Sequence, residues 1–254
     1  MKQSVDNSRR DFLAKTAIAG TITIASGVLL HQTANAKSLN ETSTRNPHTP
    51  VSNINRWGLL IDTNKCGKSC SACVDACNTE NGLAGRTGPQ DTQYIRKVTL
   101  RDKSTGHELS LPLMCQHCES APCVDVCPVN ASFIRADGIA LVDRHLCIGC
   151  RYCMMACPYK ARSFVHEELH NQKTSDPRGI GTVEACNMCV TRVDAGKIPA
   201  CVEACSADNH KAMMFGDLND PESGISVELK KHGGKQIRAD LALNTGVHYQ
   251  GLNE

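Results

Sequence analysis

The chain is poor in aromatic residues and has no strong excess of charge of either sign. Its 254 residues include one Trp, four Tyr and four Phe, and the formal net charge is +2. Large rings therefore supply little of its core. The nearly balanced charge excludes a strong polyelectrolyte and gives no support for nucleic-acid binding. After residue 36 the sequence also lacks an apolar stretch of the roughly 20 residues that a membrane-spanning helix needs.

Cysteine, in contrast, is abundant: the sequence has sixteen, all between residues 66 and 205. They form four quartets along the chain, and none is left over. The quartets are, in order, Cys66, Cys70, Cys73 and Cys77; Cys115, Cys118, Cys123 and Cys127; Cys147, Cys150, Cys153 and Cys157; and Cys186, Cys189, Cys201 and Cys205. This internal repeat indicates units that each help to bind an inorganic centre.

The third quartet has the spacing Cys-x2-Cys-x2-Cys-x3-Cys and is followed by Pro158, which is the pattern of bacterial ferredoxins. Three thiolates in such a loop surround one face of a [4Fe–4S] cube, and the fourth lies a helical turn away, where it reaches a neighbouring cluster. The second quartet has a longer insert and is followed by Pro128. We therefore predict four [4Fe–4S] clusters with all sixteen cysteines as iron ligands. A [3Fe–4S] centre is disfavoured because no ligand position is vacant.

Other uses of the cysteines stay open from the sequence alone. An exported chain could form eight disulfides from its sixteen cysteines. The fourth quartet, with eleven residues between its two pairs, resembles a structural zinc site. Three clusters and one zinc ion form a further alternative. Four clusters are favoured because every quartet ends in Cys-x3-Cys and two are followed by Pro, which neither disulfides nor zinc require.

Residues beside the quartets carry less information. His117 lies between Cys115 and Cys118, but the ligand count is already complete, so we expect a supporting or surface role. Lys160 and Arg162 follow the third quartet, and a solvated surface is favoured for them over tuning of a cluster potential or contact with a partner. The sequence has no nucleophile–base arrangement, phosphate loop or dinucleotide fingerprint. An electron carrier is therefore favoured over an enzyme.

The first 36 residues have the features of a twin-arginine export signal. Arg9 and Arg10 are the paired arginines, an apolar run covers residues 17–30, and Ala34-Asn35-Ala36 offers a cleavage site. The run has about 14 residues where a spanning helix needs about 20, and a retained membrane anchor is the alternative. The twin-arginine route carries folded proteins, which suits clusters assembled in the reducing cytoplasm. We predict a periplasmic protein that meets the twin-arginine translocase during export.

The remainder of the chain divides by composition and cysteine position. Residues 37–55 are polar and are predicted to form a flexible linker. Each Cys-x3-Cys suits one turn of a short helix. Residues 218–254 are predicted to form a C-terminal extension with a helix over residues 222–232. Strands are predicted at residues 59–62, 94–100, 108–113, 132–135 and 139–143, the last four as two hairpins.

The quartets, the strand before the first quartet and the export leader together resemble the dimethyl sulfoxide reductase family of four-cluster iron–sulfur subunits. The resemblance covers about residues 57–217. Within the family, the chain looks similar to the exported ferredoxin-like subunit of the Dsr membrane complex of sulfur-metabolising bacteria. The stretches that carry this likeness are residues 113–118, 157–164, 215–223 and 244–249.

The resemblance implies an α+β fold of two interleaved lobes, each like a bacterial ferredoxin with two [4Fe–4S] clusters, built from short helices, hairpins and long loops. Lobe one would comprise residues 56–113 and 185–217, and lobe two residues 114–184. In the family the first and fourth quartets exchange their last cysteines, as do the second and third. The implied ligand sets are Cys66, Cys70, Cys73 with Cys205; Cys186, Cys189, Cys201 with Cys77; Cys115, Cys118, Cys123 with Cys157; and Cys147, Cys150, Cys153 with Cys127.

Two departures from the family pattern fall in lobe one. Three residues separate Cys66 from Cys70, one more than is usual, and Ser206 stands where the family has Pro. The ligand assignment in this lobe therefore rests on weaker sequence support than the assignment in lobe two.

The resemblance also implies a function. It predicts an electron-transfer subunit, not itself an enzyme, that is held at the membrane by its partners. It would link a polytopic quinone-interacting membrane subunit to a multihaem cytochrome or another redox partner in sulfur metabolism. The alternative is the iron–sulfur subunit of an exported molybdopterin reductase, acting on polysulfide, tetrathionate or a similar substrate. A catalytic role for the chain itself would need an open iron site, and all sixteen ligands are already used.

Overall fold

The computed structural model describes residues 50–83, 88, 90–170, 172–208 and 210–252. Short helices and short strands alternate within them, so the fold is α+β as predicted. The strands are β1 Trp57–Asp62, β2 Ile95–Arg101, β3 Glu108–Met114, β4 Ser132–Ile134, β5 Ala140–Val142, β6 Arg162–Phe164, β7 Val183–Ala185, β8 Met213–Asp217 and β9 Val247–Gln250. The helices are α1 Ala72–Glu80, α2 Pro122–Asp125, α3 Tyr152–Ala156, α4 Val190–Asp194, α5 Ala200–Ala207 and α6 Gly224–His232, with a 3-10 turn at Ala239–Leu241.

Three strands from distant parts of the chain form one sheet in the order β8-β1-β9. Strand β1 is buried along nearly its whole length and pairs antiparallel with β8 and parallel with β9. Trp57 stacks on Phe215 across β1 and β8, with ring centroids 5.2 Å apart. A strand buried on both faces has a continuous apolar run, as Leu59–Ile61 does. The predicted C-terminal extension therefore contributes a strand to this sheet.

Both predicted hairpins are confirmed. Strand β2 pairs antiparallel with β3, and β4 with β5. In the first turn the Asp102 carboxylate accepts a hydrogen bond from the backbone N–H of Ser104 at 2.7 Å, which replaces a backbone turn contact. In the second, Gly138 has φ +86°, a left-handed conformation that glycine adopts without strain. A further pair, β6 with β7, joins segments that the sequence did not indicate as strands.

Helix α6 begins two residues later than predicted. Ser223 is its N-cap, and the Ser223 hydroxyl accepts a hydrogen bond from the backbone N–H of Ser226. Ser is a preferred N-cap because its side chain satisfies an N–H group that the first helical turn leaves unpaired. Lys230 and Lys231 lie in the last turn, where positive charge is favourable.

Cysteine side chains make up much of the buried core. Ten of the sixteen belong to the main cluster of buried residues, together with β1, β8 and β9 side chains such as Ile61, Phe215 and Tyr249. In the part of the chain that the structure describes, no helix is both long and apolar enough to span a membrane. The predicted signal peptide and most of the predicted linker lie outside the described residues.

Candidate metal centres

The cysteine thiols meet in four sets of four, here called thiol groups. Two of these thiol groups each line a cavity. One cavity is lined by Cys66, Cys70 and Cys73 together with Cys205, which comes from the fourth quartet. A second is lined by three cysteines of the third quartet with one from the second: Cys147, Cys150, Cys153 and Cys127. In both, three thiols that are close in sequence meet a fourth from a distant helix or loop.

The other eight cysteines meet in the same manner. Cys77 is buried, which raises its pKa, and the neighbouring thiols of Cys186, Cys201 and Cys189 raise that pKa further. Burial likewise raises the pKa of Cys118 to about 12, with contributions from Cys115, Cys123 and Cys157. Each group again contains three cysteines of one quartet and the last cysteine of another.

Short helices produce this exchange of ligands. Cys73 and Cys77 lie one turn apart on the same face of α1, and Cys201 and Cys205 do so on α5. Helices α1 and α5 pack against each other. Cys73 and Cys205 line one cavity, whereas Cys77 and Cys201 lie together in another group, so each helix supplies cysteines to two neighbouring sites.

The surroundings of the thiols suit metal-bound thiolates. Backbone N–H groups donate to sulfur at Cys127 (from Ser132, 3.4 Å), at Cys147 (from Val183, 3.4 Å) and at Cys205 (from Ala212, 3.3 Å). Burial acts to raise the pKa of Cys127, but hydrogen bonds from backbone N–H groups outweigh it and lower that pKa. Such donors favour the negatively charged sulfur that binds iron.

All sixteen cysteines lie among the described residues, and all are free thiols, so no disulfide forms among them. The grouping also opposes a zinc site made by the fourth quartet alone, because Cys205 lines the cavity of Cys66, Cys70 and Cys73. Close-packed thiols bind a soft metal only as they lose protons, and four sulfur donors per site are the set that iron–sulfur clusters take. The residues present therefore fit iron–sulfur clusters.

Comparison with known proteins agrees with this donor set. A family model described as a 4Fe-4S dicluster domain matches residues 107–218. The chain is 37% identical to the Hdr-like menaquinol oxidoreductase iron-sulfur subunit 1 of Archaeoglobus fulgidus, covering 96% of this chain and 98% of that protein. It is 34% identical to a subunit of the tetrathionate reductase of Salmonella typhimurium, covering 99% and 91%.

A protein of Halobacterium salinarum named for an iron-sulfur subunit of dimethyl sulfoxide reductase is 37% identical, covering 77% of this chain and 79% of that protein. The chain belongs to the dimethyl sulfoxide reductase family of iron–sulfur subunits. It is an electron-transfer protein with a ferredoxin-like α+β fold and iron–sulfur clusters as its cofactor. The family members above are subunits of larger oxidoreductases, and the sequence-based prediction of this family is confirmed.

Lys97 is a supporting residue that the sequence did not reveal. It projects from β2, and its ammonium group donates to the backbone carbonyls of Gly67 and Cys70. These two carbonyls belong to the loop from Cys66 to Cys70, which is one residue longer than the corresponding loop of the other three quartets. The Lys97 charge also opposes the rise that burial causes in the pKa of Cys66. Lys97 thus holds the longer loop in place.

We expect Lys97→Met to lose iron faster from the centre lined by Cys66, Cys70 and Cys73, by about 10- to 100-fold. This is the usual effect of removing a residue that orients metal ligands. The measurement is the rate at which the anaerobic protein loses iron to a chelator. Lys103, an exposed lysine in the turn of the same hairpin, provides the matched control, and Lys103→Met should lose iron at the unaltered rate. Equal rates for both variants would contradict the role of Lys97.

His117 has a supporting position and is fully buried. Its Nδ1 atom accepts a hydrogen bond from the backbone N–H of Ala140 at 3.1 Å. Burial, with a contribution from the nearby Arg162 charge, lowers the pKa of His117 to about 3. The imidazole is therefore neutral and links the second quartet to strand β5, which agrees with the expected supporting role and not with a surface position.

The expectation of a solvated surface was correct for Lys160 and wrong for Arg162. Lys160 is exposed, whereas Arg162 is only 5% exposed and lies between thiols of the second and third quartets. A short strand carries Arg162 inward, and the sequence offered no alternation long enough to indicate that strand.

Proposed function

We propose that the chain holds four [4Fe–4S] clusters, one in each thiol group, and relays electrons along them. The observation that carries this proposal is the exchange of last cysteines between quartets, with Cys205 beside Cys66 and Cys127 beside Cys147. The same exchange supports two interleaved lobes, with the second and third quartets forming the lobe that lies between the two parts of the first. On this basis the sixteen cysteines are the iron ligands, and no further protein ligand is needed.

When bound, [4Fe–4S] clusters supply one-electron oxidation and reduction at potentials set by hydrogen bonds to sulfur, burial and local charge. The protein controls each of these quantities. Apolar side chains such as Ile61 and Met213 line the first cavity and limit access of water. Backbone N–H groups of Ser132, Val183 and Ala212 point at ligand sulfur atoms. The chain itself would carry out no substrate chemistry, which would take place on its partners.

Iron and acid-labile sulfide analysis tests the proposal. We expect about 16 iron atoms and about 16 sulfides per chain in protein purified without oxygen, because four cubes each hold four of both. A parallel zinc measurement on the same sample is the control. About 8 iron atoms, or one zinc per chain, would rule out four [4Fe–4S] clusters.

The surface near Cys150 supports electron exchange with another protein. Cys150 is exposed, whereas the other thiols are buried or half-buried. The large apolar side chains of Ile148, Tyr152 and Met155 beside it are 65%, 59% and 73% exposed. Exposed apolar patches of this kind mark protein interfaces. We place the quinone-interacting membrane subunit here, since an apolar contact beside a solvent-facing ligand shortens the path for electrons.

The proposed location is the periplasm, where the chain would stay at the membrane through its partners. The twin-arginine motif at Arg9 and Arg10 supports export of a folded protein. A relative named as a subunit of a menaquinol oxidoreductase supports a quinone-interacting membrane subunit at one end. A multihaem cytochrome or another redox protein in sulfur metabolism would accept or supply electrons at the other end.

The second candidate function is the iron–sulfur subunit of an exported molybdopterin reductase for tetrathionate, polysulfide or a similar substrate. The relative named as a tetrathionate reductase subunit supports it, because the alignment covers 99% of this chain. Purification of the complex from native membranes separates the two candidates. Haem absorption in the pure complex favours the cytochrome-linked role, and a molybdopterin product released by acid favours the reductase.

A further inference from the structure

Arg162 is buried at the meeting point of the second and third quartets. It begins strand β6, and its Nη1 atom donates to the Ser132 hydroxyl at 2.6 Å. The backbone N–H of Ser132 donates in turn to the sulfur of Cys127 at 3.4 Å, and the nearest ionisable neighbours of the guanidinium group are Cys123, Cys115 and Cys153. Cys123 lies with Cys115, Cys118 and Cys157, whereas Cys153 lines the cavity of Cys147, Cys150 and Cys127. One buried cation therefore lies beside thiols of two different groups.

No carboxylate among the described residues forms an ion pair with Arg162, although buried Arg178 and half-buried Arg144 have such partners. Arg178 pairs with Glu184 at 2.9 Å, and Arg144 pairs with Asp176 at 2.5 Å. Within the same part of the chain, the Nε atom of Arg162 also lacks a hydrogen-bond partner. A buried charge with no opposite charge nearby is strongly unfavourable. Thiolate ligands on both sides of Arg162 would provide the missing negative charge.

The electrostatic effects of Arg162 reach both groups. Burial raises the pKa of Cys123 and of Cys153, and the positive charge of Arg162 opposes that rise at each thiol. It acts in the same direction on Cys115 and Cys127. The positive charge of Arg162 therefore acts on cysteines of two sites at once.

We propose that Arg162 is the shared counter-ion of two neighbouring iron–sulfur centres and raises the reduction potentials of both. This inference rests on the proposed four-cluster function. Reduction adds one negative charge to a centre, and a fixed positive charge in a buried, poorly screened position stabilises that added charge. Arg162 is a positioning residue, since it lies beside the ligand thiols and occupies no ligand position itself.

The test is a redox titration followed by electron paramagnetic resonance on the full chain, purified without oxygen. In Arg162→Gln we expect the ratio of reduced to oxidised form at a fixed potential to fall at least tenfold, about 59 mV for a one-electron couple, at two of the four centres. Arg162→Lys keeps the positive charge, so its reduction potentials should stay close to those of the unaltered protein. Lys160→Gln removes the same charge from an exposed position two residues away and should leave all four potentials unchanged.

Three outcomes would overturn the inference: unchanged potentials in Arg162→Gln with full iron content, an equal shift at all four centres, or loss of iron in both the Gln and Lys variants. The last would mean that Arg162 acts through packing and not through charge. Loss of iron in Arg162→Gln alone, with retention in Arg162→Lys, would support the counter-ion role in assembly. Iron analysis of the unaltered protein comes first, so that failure of the four-cluster proposal is recognised separately.

Discussion

Replacing Cys205 by alanine is expected to alter the centre lined by Cys66, Cys70 and Cys73 and to leave the two centres of the second and third quartets intact. Cys205 lines the cavity of those three thiols, although it lies more than a hundred residues away in the sequence. Loss of one ligand commonly opens an iron corner of a cube. We therefore expect a [3Fe–4S] signal in the electron paramagnetic resonance spectrum and a loss of about one iron per chain from about 16.

Cys127→Ala is the matched control for this experiment. Cys127 is also the last cysteine of a quartet, and it lines the cavity of Cys147, Cys150 and Cys153. Its loss should alter that centre and spare the one that Cys205 serves. If Cys205→Ala changed the signal of the Cys147 centre, the interleaved arrangement would be wrong. If Cys205→Ala prevented assembly of the whole chain, Cys205→Ser, which replaces the sulfur donor with an oxygen donor, would make the same comparison.

The strands that were predicted from sequence are those whose signals are local. Strand β1 is a short apolar run, and the two hairpins have alternating side chains around turns that contain Gly106 and Gly138. Strands β6 and β7 have three residues each and carry no alternation. Strand β9 pairs with β1, although the two strands are far apart in the sequence: Leu59 lies opposite Val247. Pairing at that distance depends on tertiary packing, which local patterns do not report.

Proline explains why the four Cys-x3-Cys segments form different helices. Helix α2 ends before Cys127 and α3 ends before Cys157, and each of these cysteines precedes a proline. A residue before proline is disfavoured in the helical conformation. Asn78 and Ser206 follow Cys77 and Cys205 and impose no such limit, so α1 and α5 continue past those cysteines. The departure at Ser206 therefore lengthens a helix and still brings Cys205 to the first cavity.

The cysteines that we propose as ligands could be selected from the sequence by their spacing, whereas Lys97 and Arg162 could not. Lys97 is separated from Cys70 by the whole of α1 and reaches its loop only through the placement of β2. Arg162 was expected in solvent because an isolated arginine is usually exposed. Its burial becomes favourable only where two groups of anionic ligands meet, and that meeting depends on the three-dimensional exchange of cysteines between quartets.

The proposed export is expected to respond most strongly to a small change in sequence. We expect Arg9→Lys with Arg10→Lys to leave the protein inside the cell, because the paired guanidinium groups are the feature that the translocase for folded proteins recognises. Cell fractionation measures how much protein is retained, and iron analysis of that fraction measures its clusters. The retained protein should still contain its clusters, because they form before export. Lys2→Arg with Lys15→Arg alters the same leader by equally small steps and should be exported normally. Unchanged export of the double-lysine variant would instead indicate the general secretory route, which carries unfolded chains and would leave the clusters to be assembled outside the cytoplasm.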